Sequence, residues 1–396
     1  MDLNNIYERI EENELVELCS DLISIPSHFQ VPSQEREISI FVSDTLKTIG
    51  VEVEEQEVKN GRCNVIAKIQ GNGNGRSLAL NGHLDTVPPG ENMRAPYTAS
   101  LRNGRLYGRG SCDMKGAVAA MIHSLYLIKK HGLVLNGDLY LTAVVGEETG
   151  GTGSRHLVEH GFHPDFAIVG EPTDLKIITS HKGVCNMMVT VRGKSCHASM
   201  PENGANAIVA VSDFIQLVKQ RLLPDLKTRT QQGVGCATLS FGTVEGGTKI
   251  NMVADRCSLE IDRRWVKGET LEQVLSEMRD LVSEVCNNDP NLSAELRLLL
   301  PEEYYYGPFN IDEDQEIVKL IKLALHDIGI KAPVAGMQGW TDAATLYNAG
   351  IPVVLLGPGS IKQAHTNNEW VHISQLTDSV RYYLSVIKTV CGIGGR

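Results

Sequence analysis

Basic charge is what this sequence is short of. Against 48 Asp and Glu stand only 37 Lys and Arg, a formal charge of −11. A field of that sign repels phosphate backbones, so nucleic acid is not an expected partner. Long apolar runs are missing too: none approaches the ~18 residues that span a bilayer, so no membrane partner is expected. The stretch from Met1 to Glu12 is polar and acidic where a secretory leader needs a basic start and an apolar run. No C-x-x-C pair occurs among the nine cysteines, whose odd number and scatter read as reduced thiols in a cytoplasm. That pattern excludes a disulfide framework and a zinc ribbon. Gly150-Gly151-Thr152-Gly153 lacks the Gly-Lys-Ser/Thr ending of a phosphate loop.

What is present suffices for ordinary cores. The chain is 42% hydrophobic, and 396 residues exceed the usual single core, so two domains, or one with a large insertion, are expected. Helical apolar spacing marks Glu14–Ile25, Glu35–Ile49, Lys115–Lys130 and Gly153–His160. Strand-like runs at Cys63–Ile69, Ser77–Asn81, Asp138–Val145 and Phe166–Val169 are interleaved with them. This alternation predicts an α/β sheet with a parallel component. After His181 the order becomes β-α-β-β-α-β, a small α+β sandwich of ferredoxin-like type. From roughly Tyr304 the α/β pattern resumes. The expected division is a first domain of residues 1–181 and 299–396, interrupted by a second of residues 182–298. Gly71–Gly75 (GNGNG) is expected to be a hairpin turn.

Chemistry-bearing residues collect at the predicted C-terminal ends of strands, where open α/β sheets place their sites. They are GHLD at 82–85, GRGSCDMKG at 108–116, GEETG at 146–150, GEPT at 170–173 and Ala364-His365-Thr366. His, Asp and Glu together suit a catalytic metal site with a position left open for water. Two histidines and three carboxylates are the inventory for two ions sharing one Asp, an arrangement that clamps a water and polarises a carbonyl. The Glu147-Glu148 doublet supplies a further carboxylate as proton shuttle. Asp85, two residues beyond His83, is expected to accept the ring N–H of His83. Taken singly, each of these residues has a blander reading; Asp113, for example, would serve as an N-cap. Cys112 and Cys196 read as fillers rather than nucleophiles.

GHLDTVP, GRGSCDMKG, GEETGG, VGEPT and AHTNNEW, in that order, resemble the M20 family of di-zinc metallopeptidases and amidohydrolases. The branch they are most similar to is that of acetylornithine deacetylase and succinyl-diaminopimelate desuccinylase. The resemblance implies a mixed-sheet zinc-hydrolase domain with an inserted lid or dimerisation domain, and hence a homodimer. It implies two Zn²⁺, with Co²⁺ or Mn²⁺ as substitutes. His83 and Glu171 would hold one ion, Glu148 and His365 the other, and Asp113 both. Glu147 would be the general base and acid, Asp85 the support of His83, and the peptide after Asp113 cis. In the insertion, the segment from Gly193 to Pro201 resembles the family's G-x-x-x-H-x-x-x-P, which gives His197 the oxyanion across a dimer. Asn251 and Arg264 would hold a substrate carboxylate, with Ala254 where the family usually has Pro. Gly357 would line the substrate end of the cleft.

The implied reaction is hydrolysis of the amide of a small N-acyl amino acid. A dipeptidase or exopeptidase uses the same metal core and is the alternative. A non-catalytic relative would be expected to have lost a ligand or the base, and every one is present.

Overall fold

The computed structural model describes residues 4–301, 305 and 307–394. Tyr304, where the α/β pattern was expected to resume, lies outside them. The chain divides into two compact units, one of residues 1–179, 311–335 and 341–396 and one of residues 180–310 and 336–340.

After a four-residue helical turn at Asn4–Tyr7, the first unit carries α1 (Glu12–Ser24) and α2 (Arg36–Thr48). Strands β1 (Glu52–Lys59), β2 (Arg62–Ile69) and β3 (Leu78–His83) follow. Next come α3 (Lys115–Lys130), β4 (Leu139–Val144), α4 (Thr152–Glu159), β5 (Phe166–Val169) and β6 (Ile177–His181). The second unit carries β7 (Gly183–Arg192), α5 (Ala207–Leu217), β8 (Thr238–Gly246), β9 (Arg256–Trp265), α6 (Leu271–Cys286) and β10 (Ser293–Leu298). Then the first unit resumes with α7 (Glu316–Asp327), α8 (Ala343–Asn348), β11 (Val353–Leu355) and α9 (Ile373–Cys391).

The sheet of the first unit runs β1-β2-β4-β3-β5-β11-β6. Its centre, β4-β3-β5-β11, is parallel, and antiparallel neighbours flank it at β2 and β6. Every residue of β3, β5 and β11 is buried, the mark of parallel strands covered on both faces. Helix α3 packs on β3, and α9 packs on α3 and α7. The parallel centre aligns four strand ends, and these lead into His83, Glu147-Glu148, Glu171 and Gly357.

The GNGNG segment is not a hairpin turn. It joins β2 to β3, and these flank β4 without pairing to each other. Its backbone lies instead along the turn into β4: the N–H groups of Asn72 and Gly73 donate to the carbonyls of Leu135 and Asn136 at 3.0 and 2.9 Å. A Cβ on Gly71 would fall 2.5 Å from the backbone of Gly137, so the glycine serves close approach rather than a reversal. The acidic β1 and three short strands, Ser100–Arg102, Arg105–Tyr107 and Trp370–His372, were not expected from the sequence.

In the second unit the sheet order is β8-β9-β7-β10, all neighbours antiparallel. Strand β9 alternates buried and half-buried residues, and Cys257, Leu259, Ile261 and Trp265 pack with α5 and α6 around Phe214 and Met278. Thr270 and Gln273 form a reciprocal capping box at the start of α6.

Candidate metal centre

His83 closes β3 and is buried. Its Nδ1 lies 2.9 Å from the backbone carbonyl of Asp85, which only accepts, so Nδ1 carries the hydrogen. This corrects the expectation that the Asp85 carboxylate takes that role: its nearer oxygen is 3.6 Å from the ring. The carboxylate instead accepts the backbone N–H groups of Glu147 and Glu148, at 3.1 and 2.9 Å. Asp85 thus holds the histidine through its backbone carbonyl and the glutamate doublet through its carboxylate.

With Nδ1 committed, Nε2 of His83 faces Asp113 Oδ1 at 3.1 Å and Glu171 Oε1 at 3.9 Å. The other oxygen of Asp113, Oδ2, lies 3.4 Å from Nε2 of His365, which also meets Glu148 Oε1 at 3.1 Å. Asp113 therefore presents one oxygen to each histidine. It does not cap α3, whose N-cap is Met114 with no side-chain cap bond, and the Asp113–Met114 peptide is cis. His365 is half exposed and sits at a positive φ of 62°, uncommon for a residue with a side chain.

Lone pairs on an imidazole nitrogen and a carboxylate approach this closely only with a proton or a cation between them. The electrostatics follow that rule. Burial disfavours a charged His83, but the hydrogen bond to Asp113 together with the carboxylates of Glu147, Asp85 and Glu171 outweighs it and holds the imidazole well above its ordinary pKa. Hydrogen bonds to Asp113 and Glu148 push His365 up to about 10. Burial opposes ionisation of Asp113, and the two histidines overcome it, so its carboxyl lies below the usual range. Burial, with the carboxylate of Glu171 beside it, drives Glu147 well up; burial and Asp113 do the same to Glu171. Asp342 is raised to about 6, chiefly by burial.

So many carboxylates in so little water call for positive charge. The ligand atoms of His83, Asp113 and Glu148 lie within 4.8 Å of one another, and Oε1 of Glu171 is buried with no hydrogen-bond partner. Nitrogen and oxygen donors, an orphaned carboxylate oxygen and a two-sided aspartate together fit divalent metal ions.

The family profile described as Peptidase family M20/M25/M40 matches residues 79–389, which hold every one of these side chains. The chain belongs to this peptidase family. Like other M20 members it is an enzyme that acts on amide bonds, and metal dependence is typical of the family. It is 32% identical over 388 residues to an acetylornithine deacetylase of Proteus mirabilis, covering 95% of this chain and 96% of that one. It is 29% identical over 423 residues to an N-formyl-4-amino-5-aminomethyl-2-methylpyrimidine deformylase of Bacillus subtilis, covering 98% and 97%. A solved tripeptidase from Staphylococcus aureus superposes with a TM-score of 0.80 at 25% identity, over 96% of this chain and 99% of that one. The mixed α/β architecture described above is that of M20 structures.

Gly357 follows β11 and is buried. A Cβ there would fall 2.2 Å from the carbonyl oxygen of Gly170 and 2.6 Å from that of Glu171. Its N–H donates to Thr173 Oγ1 at 3.1 Å, and its carbonyl accepts from the same hydroxyl. The missing side chain thus lets this loop lie against the segment that carries Glu171.

In the second unit, His197 is exposed; its Nδ1 lies 2.7 Å from Ser199 Oγ. His197 forms an isolated β-bridge with Met252, and the N–H of Ala198 donates to the carbonyl of Asn251 at 3.1 Å, so His197 and Asn251 lie side by side. Arg264, near the end of β9, gives Nε and Nη2 to the carboxylate of Asp262 at 2.8 and 2.9 Å.

Among the buried charges of the first unit that sequence reasoning passed over are Arg109, Lys115, Asp342 and Glu369. Three of them stand inside the quoted motifs GRGSCDMKG and AHTNNEW.

Proposed function

We propose that this chain is a two-zinc hydrolase cleaving the amide of a small N-acyl amino acid to a carboxylate and a free amine. The observation that carries the reading is the two-sided presentation of Asp113 to His83 and His365, with the half-buried Glu147 held by Asp85 through its backbone N–H. His83, Asp113 and Glu171 would hold one ion and Asp113, Glu148 and His365 the other. When bound, the ions act as Lewis acids on the scissile carbonyl.

The remaining work belongs to the chain's own groups. Glu147, aimed by the hydrogen bond from its backbone N–H to Asp85, takes the proton of the attacking water and returns it to the leaving amine. A carboxyl already pushed upward by burial is suited to carrying that proton between steps. His197 of the partner subunit donates to the oxyanion. Asn251 and Arg264 take the carboxylate of the substrate, with Arg264 oriented by Asp262. Support for a homodimer through the second unit is the exposure of Ile208, Val209, Val244, Ile250 and Met252 and the free edge of β8. The nine cysteines, all free, support a reducing compartment such as the cytoplasm. No helix among the described residues is long and apolar enough to cross a membrane.

An acetyl or formyl group is favoured by the similarity to the deacetylase and deformylase. An exopeptidase is the second reading, favoured by the likeness to the tripeptidase. A hydrolysis screen with added Zn²⁺, Co²⁺ or Mn²⁺ tests both, using N-acetyl, N-formyl, N-succinyl and N-carbamoyl amino acids beside di- and tripeptides. Preference for acyl amino acids is expected, and preference for peptides transfers the assignment to the second reading. On the preferred substrate, Glu147→Gln should cost about 10²–10⁴ in kcat with metal content unchanged. Near-normal turnover would reject Glu147 as the base.

A further inference from the structure

Glu369 takes no part in the chemistry above, yet its carboxylate sits at the centre of the loop that presents Asp113. The residue is 1% exposed. Its Oε1 accepts the backbone N–H groups of Cys112 and Asp113, both at 3.0 Å. Its Oε2 accepts the N–H of Gly110 at 3.1 Å and Nη1 of the buried Arg109 at 2.6 Å. The backbone carbonyl of Glu369 accepts the N–H of Gly108 at 3.2 Å. On the far side of Asp113, the ammonium of Lys115 donates to the carbonyls of Leu22 and Ile25, at 2.9 and 2.7 Å. The loop is thus pinned on both sides of the aspartate.

A buried ion pair such as Arg109–Glu369 is weak evidence for stability, because apolar side chains of similar volume often do as well. What apolar side chains cannot do is fix the direction of three backbone amides, those of Gly110, Cys112 and Asp113. One of these is the N–H of Asp113 itself, and its direction sets where the Asp113 side chain leaves the backbone. We propose that Glu369 is a positioning residue for Asp113, holding its two carboxylate oxygens toward His83 and His365 for the two ions. This rests on the reading of Asp113 as a metal ligand.

The test separates the amide cradle from the ion pair. Both Glu369→Gln and Arg109→Met abolish the charge pair, and both share whatever general destabilisation follows. Only Glu369→Gln sets an NH₂ group against backbone N–H donors. Metal-free protein is titrated with Co²⁺, read by calorimetry and by the visible Co²⁺ bands, with Asp113→Asn as the reference. Glu369→Gln should weaken Co²⁺ binding by roughly 10–100-fold and alter the bands, the usual effect of losing a group that orients a ligand. It should also lower kcat while leaving KM unchanged. Arg109→Met should keep Co²⁺ affinity near that of the unmodified chain. Equal losses in the two variants, or unchanged binding in Glu369→Gln while Asp113→Asn loses it, overturn the positioning role alone. Binding retained by Asp113→Asn overturns the ligand reading and this proposal with it. Should Glu369→Gln fail to fold, hydrogen exchange on the unmodified chain decides. Slow exchange at Gly110, Cys112 and Asp113 is expected, and rapid exchange there rejects the cradle.

Discussion

At the scale of single residues, the chemistry was legible wherever a residue type is rare at a strand end. His83, Asp113, Glu147, Glu148, Glu171 and His365 all stand in short polar motifs that interrupt apolar runs. The partners that aim them were not legible, because a carboxylate receiving backbone amides leaves no pattern in neighbouring letters. Asp85 and Glu369 both work this way, and only coordinates reveal which N–H groups point at them. Gly357 shows the same limit from the other side. Its sequence context implies a substrate loop, while its backbone contacts tie it to the segment bearing Glu171. Gly357→Ala forces a methyl group into those carbonyl oxygens, so overpacking of about 1–3 kcal/mol is expected. Thermal denaturation should show the loss in metal-free protein, and metal affinity should fall with it; an unaltered melting temperature would contradict the packing.

Whole elements were readable where burial is complete or helical spacing is regular. Strand β5 and helix α3 have the bounds that their apolar patterns indicate. Strand β1 was missed because EVEEQEVK is acidic; it pairs only with β2 at the sheet edge, and most of its residues face water. Of the three short strands, Ser100–Arg102 and Arg105–Tyr107 form a local hairpin across Asn103-Gly104, a turn signal that was passed over, and Trp370–His372 joins them from far away in sequence. Helix α3 carries a further consequence. Its His123 is almost fully buried, with Nε2 unpartnered, and burial, then the nearby Lys130, lowers its pKa to about 4. The folded state therefore prefers the neutral ring. Its contribution is fully present above about pH 6.5, where the unfolded chain is also neutral. It declines as the pH falls from 6.5 toward 4, by on the order of 3 kcal/mol in all. His123→Leu should flatten that acid slope in denaturant unfolding of metal-free protein. A slope identical to the unmodified chain would show that His123 is not the titrating group.

At the scale of the molecule, sequence alone indicated an α/β body with an inserted α+β segment, and the sheet orders explain why. Parallel strands demand crossover helices between them, whereas the second unit's antiparallel sheet uses strands of alternating burial. Boundaries were less legible, since residues 336–340 cluster with the second unit although they lie far beyond its main stretch. The crowding of carboxylates in the first unit has a global effect. Any ion that binds the folded chain and not the unfolded one stabilises it, by about 2.7 kcal/mol at a hundred times Kd. Chelation should lower the melting temperature, and Zn²⁺ or Co²⁺ should restore it in the intact chain but only in part in Asp113→Asn. Melting that ignores both chelator and metal would contradict the proposed centre.

The two histidines that face Asp113 come from opposite sides of a long detour. His83 precedes the second unit and His365 follows it, so more than a hundred residues of separate structure must leave the ribosome between them. A nascent chain can lay down β3, α3, β4 and β5 early and still hold an open-sided cluster of acids. Of the two proposed ion sites, the one formed by His83, Asp113 and Glu171 is complete before the second unit is made, whereas the other waits for His365.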